Sequence, residues 1–269
     1  RHKLQIFPPV QDNLIRFYTS LVSSLNAYSS LLNYESSINL FYRVYGFSMD
    51  NSSILTKLLN LGAKKDLSTV PATKLPLEVE HVKQFIALCD SGNPFEVTFV
   101  AAIQVGLMAL LRKSNICPPS LSAFDANKHL LRNDIELHPD GVTVNLRWTK
   151  TNQSADGSFA IPIAHSGNPV FDPPQFYKDY VARFPVLPQD PCFSFYVNGK
   201  HFVLVQKDLT NFLNSFLRRV GVNPDEYTTH SIRKGGANLV HRSGVDVPAL
   251  KHHGTWSSDS YKHYLCFNK

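Results

Sequence analysis

A chain of 269 residues with 43% hydrophobic content can bury one large core or two modest ones, and no apolar run approaches the roughly 18 residues of a membrane span. Four widely spaced cysteines (Cys89, Cys117, Cys192, Cys266) form no CxxC pair, which argues for a reducing compartment and against both a disulfide framework and a cysteine zinc site. The net charge of +6 is uneven: residues 1–72 carry +3, residues 73–217 carry −1, and residues 218–269 carry +4 with five of the eleven histidines. Two basic ends beside a near-neutral middle suit a polyanion held between two lobes.

Residues 10–62 read as helical. Leu14, Phe17, Tyr18, Leu21, Val22 and Leu25 recur at helical spacing, and Tyr28, Leu31, Leu32, Ile38, Phe41, Tyr42 and Tyr45 continue it. Gly46 stops that run, and Ser52-Ser53 caps a third helix to about Leu61. Residues 62–75 (GAKKDLSTVPATKL) lose the periodicity and read as a linker. A helix is expected to begin at Pro76, with Glu78 and Glu80 in its first turn. Residues 78–91 and 95–111 read as two helices, the second apolar almost all round and therefore buried, delivering Arg112 at its end.

Residues 130–164 change to alternation, broken at Pro139-Asp140-Gly141 and Asp156-Gly157, which predicts a three-stranded antiparallel sheet with Lys150 at its second turn. A helix over 173–184, an extended segment in PCFSFYVNGKHF, and helices over 206–220, 229–243 and 246–251 follow. A last helix from about 257 is expected to carry Tyr261 and Tyr264. The fold class is thus mainly α with a small antiparallel β-sheet, in two domains. These are a helical domain over 1–62 and, after a linker over 63–75, a mixed α/β domain over 76–269.

The chemistry concentrates in residues 229–265, THSIRKGGANLVHRSGVDVPALKHHGTWSSDSYKHYL. His230 and Arg233 lie one turn apart on one helix face. A permanently charged fork and a proton carrier facing the same way suit an anionic phosphate, and the tyrosines that follow offer a nucleophile. Gly235-Gly236 reads either as a close backbone approach of that helix or as a packing detail. His252, His253 and His263 make a poor metal set, because adjacent histidines rarely converge on one ion.

These residues in this order resemble the tyrosine recombinases of the phage-integrase family, with a flavour closest to recombinases of DIRS-type and related eukaryotic mobile elements. The matching positions are Arg112 in LLRKSN, Lys150 in WTKT, His230 and Arg233 in HSIR, Trp256 after Gly254-Thr255, and Tyr264 ten residues beyond Gly254. By strict count the position before the tyrosine is Thr255, and a shifted turn would place Trp256 there. Where the family often has Glu, three residues after the first Arg, this chain has Asn115.

The resemblance implies a helical DNA-clamping domain over 1–62 and a catalytic domain over 76–269. It implies site-specific cleavage and rejoining of double-stranded DNA through a 3′-phosphotyrosine, without metal, ATP or other cofactor. It further implies a homodimer on one site and a homotetramer in the synaptic complex, no membrane, and a nuclear location for a mobile-element enzyme. Lys64, Lys65, Lys113, Arg147, Lys234 and Arg242 are the expected DNA contacts. Two alternatives stand beside this reading: a catalytically inactive, recombinase-derived DNA-binding protein, and a type IB topoisomerase-like strand transferase.

Overall fold

The computed structural model describes residues 9–48, 53–67, 73–149 and 159–266. The chain divides into two compact units, Arg1–Ala72 and Thr73–Lys269. The first unit holds three helices, α1 (Gln11–Val22), α2 (Tyr28–Val44) and α3 (Ile54–Asp66). Its small core is Tyr18, Leu31, Ala63 and Leu67, with Leu14, Phe17 and Leu59 packed against it. Gly46 ends α2 in the left-handed region (φ 79°), and Ser53 caps α3 by accepting from the Thr56 amide at 3.2 Å. Helix α3 runs on to Asp66, so residues 63–66, expected in the linker, are helical. Gly62 meets nothing within 4 Å where a Cβ would stand, and Ala63 and Leu67 carry the core stripe past it.

The second unit is organised around α5 (Pro94–Met108). Asn93 caps α5 by accepting from the Phe95 amide at 3.0 Å, and Pro94 opens it. Every residue of α5 from Val97 to Leu107 is buried. Around it lie α4 (Val79–Leu88), α7 (Pro173–Arg183), α8 (Gln206–Arg219) and α9 (His230–Arg242). Helix α4 begins at Val79 with Glu78 as its N-cap, three residues later than Pro76 suggested: the Leu77 amide donates instead to Ser231 O at 2.8 Å. Helix α5 also stops three residues short of its apolar run. Leu110 takes a left-handed backbone (φ 50°), and Arg112 instead heads the short α6 (Lys113–Ile116).

Strands β1 (Ile135–His138), β2 (Gly141–Leu146) and β3 (Phe159–Ala164) form the expected antiparallel sheet in that order, with Val144 opposite both Ile135 and Ile161. The second turn, with Lys150, lies outside the described residues. The segment expected merely to be extended is a hairpin, β4 (Ser194–Val197) and β5 (Lys200–Val203). It turns on Asn198 and Gly199 at φ 51° and 75°, both positive as a two-residue type I′ turn requires. The expected last helix is a single 3₁₀ stretch, Asp259–His263, with Tyr264 at its end. No helix among the described residues is long and apolar enough to cross a membrane.

Candidate active site

Helix α9 presses close to its neighbours because it has no side chain at Gly235 and Gly236. A Cβ on Gly235 would stand 1.8 Å from Leu77 O, and one on Gly236 2.0 Å from Leu107 O. The glycine pair is therefore a close backbone approach, and it carries Arg233 into the interior.

Arg233 is 2% exposed. Its Nη1 donates to Leu110 O and its Nη2 to Gly254 O. The left-handed turn at Leu110 that ends α5 belongs to this arrangement, since its carbonyl accepts from the guanidinium. The guanidinium carbon stands 4.2 Å from the Trp256 ring centroid and 5.3 Å from that of Tyr264. Burial, then the neighbouring charge of Arg112, push the Arg233 pKa down to about 10, with Tyr264 acting in the opposite direction. It stays cationic at neutral pH.

Trp256 reaches that position through a turn. Helix α10 (Val247–His253) ends with Thr255 at φ 52°, an uncommon backbone for a β-branched residue. The Thr255 and Trp256 amides donate back to His252 O at 2.9 Å and Lys251 O at 2.8 Å. Gly254 leaves room for the indole, since a Cβ there would meet the Trp256 ring at 1.9 Å. The two residues that share the expected position thus divide its contacts. Trp256 covers Arg233, while Thr255 Oγ1 accepts from Arg112 Nη1 at 3.4 Å. Burial lowers the Arg112 pKa, and Tyr264 opposes that.

Tyr264 closes the group, with ring centroids 4.8 Å from His230 and 5.1 Å from Trp256. His230 is held below its ordinary pKa by desolvation, then by Arg233, Arg112 and Lys234. Its imidazole is therefore neutral, and able to accept a proton, at neutral pH. Two buried N–H donors, Arg233 Nε and Trp256 Nε1, have no partner among the described residues. A buried donor left unpaired costs about 1–3 kcal/mol, so a cationic cradle with two of them is poised for an anion.

Of the six residues expected to be catalytic, Arg112, His230, Arg233, Trp256 and Tyr264 converge, and Lys150 lies outside the described residues. The chain leading to Lys150 is tied to the Arg112 element: Asn115 Nδ2 donates to Trp148 O at 3.1 Å, while Asn115 Oδ1 accepts from the Arg112 amide at 3.3 Å.

The expected DNA contacts divide. Lys234 is 8% exposed and donates to Lys74 O at 2.7 Å, so its ammonium is held inside the fold. Arg147 pairs with Asp134 at 2.7 Å and reaches His129 O, bracing the sheet. Arg242 pairs with Glu78 at 3.1 Å. Charge and position along the chain did not reveal these internal partners, all of which come from other elements. Lys64, Lys65 and Lys113 are exposed.

Among the described residues no group of three or more His, Cys, Asp or Glu side chains is placed to hold a metal ion. His253 instead has its Nε2 2.6 Å from Met108 O.

No protein-family model matches the sequence, and no curated protein matches it. Solved structures do match. The Tn1549 transposon integrase in complex with transposon right end DNA is similar over 99% of this chain and 84% of its own (TM-score 0.59, 13% identity). A lambda integrase dimer bound to a COC′ core site is similar over 98% and 82% (TM-score 0.56, 11% identity). The XerH site-specific recombinase bound to difH substrate is similar over 81% of this chain, which spans only 63% of XerH (TM-score 0.52, 15% identity). The chain has the fold of the tyrosine recombinases. Within a tyrosine-recombinase fold the mostly helical architecture and small antiparallel sheets find their place, and the cluster around Arg233 becomes its candidate active site.

Proposed function

We propose that this chain is a site-specific DNA strand transferase that cleaves and rejoins double-stranded DNA through Tyr264. The observation that carries the reading is the cradle itself. Two guanidinium groups, an imidazole and an indole stand around one phenol, and two buried N–H donors there have no partner among the described residues.

In this mechanism the Tyr264 oxygen forms a bond to the phosphorus of a DNA phosphodiester, and the bond to the 5′-oxygen breaks, leaving a 3′-phosphotyrosine. A phenol is a weak nucleophile until its proton is taken and its charge compensated. Neutral His230 takes that proton. Arg233 and Arg112 stabilise the charge on the non-bridging oxygens, Arg233 through Nε and Trp256 through Nε1. Lys150, placed here by the motif resemblance alone, gives a proton to the departing 5′-oxygen. The reverse sequence rejoins the strand, since the covalent link conserves the bond.

Double-stranded DNA is the substrate of this reading, with the exposed Lys64, Lys65 and Lys113 as proposed contacts to its backbone. A pair of chains on one site, four in the synaptic complex, a mobile-element role and a nuclear location belong to the same proposal.

The test is covalent capture on a nicked suicide duplex, read on a denaturing gel. The wild-type chain is expected to form an adduct, and Tyr264→Phe to form none while keeping its DNA affinity. An adduct that persists in Tyr264→Phe removes the nucleophile. A wild-type chain that binds DNA and forms no adduct leaves the catalytically inactive DNA-binding protein, and relaxation of supercoils without strand exchange between duplexes indicates a topoisomerase.

A further inference from the structure

Among the described residues, the segment that carries Tyr264 has no helix beyond the 3₁₀ stretch Asp259–His263. Apolar contacts hold it down: Tyr261 and Leu265 are buried in one cluster with Leu110, Ala237, Leu250 and Trp256. Such contacts set how deeply the segment sits. They are not directional, so they do not fix the orientation of the peptide planes on either side of Leu265.

Asn238, on α9 and only 1% exposed, supplies the direction. Its Nδ2 donates to Tyr264 O at 2.7 Å, and its Oδ1 accepts from the Cys266 amide at 2.7 Å. The other Nδ2 hydrogen goes to Lys234 O, one turn back on the same helix, also at 2.7 Å. The network assigns the amide's orientation, because two carbonyls face the nitrogen and one N–H faces the oxygen. One side chain thus grips the main chain on both sides of Leu265 and ties the root of Tyr264 to the helix that bears His230 and Arg233.

We infer that Asn238 is a positioning residue for Tyr264: its amide holds the phenol in register with the His230–Arg233 face of α9. The inference rests on the strand-transfer reading, and it adds a residue that meets Tyr264 at its main-chain carbonyl and acts through it. The planar amide supplies donors and an acceptor together. Leucine lacks both, and aspartate keeps the acceptor while losing both donors.

The test compares wild type with Asn238→Leu and Asn238→Asp in two measurements. The first is the single-turnover rate of adduct formation at saturating nicked suicide duplex, beside the dissociation constant for the same DNA. The expected result is a rate roughly 10- to 100-fold lower in both variants, the scale of a misplacement of about 1 Å, with DNA affinity unchanged within about twofold. The second is amide hydrogen exchange in the free protein. Cys266 is expected to lose protection in Asn238→Leu and keep it in Asn238→Asp, with α9 still protected in both.

An unchanged adduct rate overturns the role of Asn238. So does a parallel fall of rate and affinity, or a loss of protection along α9, since either marks a general structural lesion. A wild-type chain that forms no adduct overturns the strand-transfer reading itself. A wild type that forms one, matched by Asn238→Leu, overturns only the positioning role.

Discussion

Each of the two units takes a titratable group out of water, and they treat it differently. In the three-helix unit Glu35 is half-buried. Burial raises its carboxyl pKa, and Asn60, donating to Glu35 Oε1 at 3.2 Å and accepting from the Tyr28 hydroxyl at 3.2 Å, partly offsets the rise. A carboxyl in that position has an escape, because it can take up a proton and become neutral. In the larger unit Arg233 is far more deeply buried and has no such escape near neutral pH. The fold therefore surrounds it with carbonyl oxygens from Leu110 and Gly254 and with the faces of Trp256 and Tyr264. A buried charge is rarely a gain in stability over a well-packed apolar group. That so many separate elements turn toward Arg233 points to the proposed reaction rather than to folding as the reason for its place.

The largest expected effect follows from that contrast. Arg233→Met should lower the adduct rate at least ~100-fold, the scale of removing one preorganised charge-stabilising group. It should lower the thermal midpoint while leaving the chain folded at the assay temperature, because methionine leaves the Leu110 and Gly254 carbonyls without their donors at about 1–3 kcal/mol each. Unfolding in step with the loss of activity would make Arg233 a structural residue and erase the distinction from Glu35.

Next in size is Gly236→Ala. The added Cβ meets the Leu107 carbonyl oxygen of α5, a backbone atom that cannot swing aside. A destabilisation of roughly 2–4 kcal/mol in urea is expected, with the adduct rate falling as α9 shifts.

The pH behaviour of His230 is a smaller and sharper probe. Its titration, followed by NMR in the free protein, should have a midpoint below the ordinary 6.5. Inorganic phosphate should raise that midpoint by offsetting the nearby cations, and Arg112→Ala should raise it by removing one of them. A midpoint indifferent to both would mean that the cations do not share a field.

The smallest effect is on the other side of the comparison. Because the folded pKa of Glu35 lies above its ordinary 4.5, its ionised form is disfavoured in the fold. The three-helix unit should therefore gain stability as pH falls from neutrality toward 4.5. Glu35→Gln should flatten that dependence and change stability at pH 7 by no more than about 0.5 kcal/mol in urea unfolding.

Much of the architecture was legible because it is periodic. The apolar run of α5, the alternation that makes β1 to β3, and the one-turn spacing of His230 and Arg233 are local patterns, and local patterns follow from helix and strand geometry alone. The β4–β5 hairpin was legible too, through Asn198-Gly199, a turn signal that the reading of PCFSFYVNGKHF as simply extended passed over. Element ends were less so. The run through Leu111 reads as helix, yet α5 stops at Met108, and Leu110 turns its carbonyl to Arg233 from α9.

The sequence by itself determined the helical character, the small sheet, and the order of Arg112, His230, Arg233 and Tyr264 along the chain. Only the tertiary structure decided that a left-handed Thr255 lays Trp256 over Arg233, that Lys234 and Arg147 are tied to partners inside the fold, and that Asn238 grips the chain at Tyr264. The reason is physical. Periodicity depends on neighbours a few residues away, whereas the partner of a charge or an amide is whatever donor or acceptor close packing brings within about 3 Å, often from more than a hundred residues off.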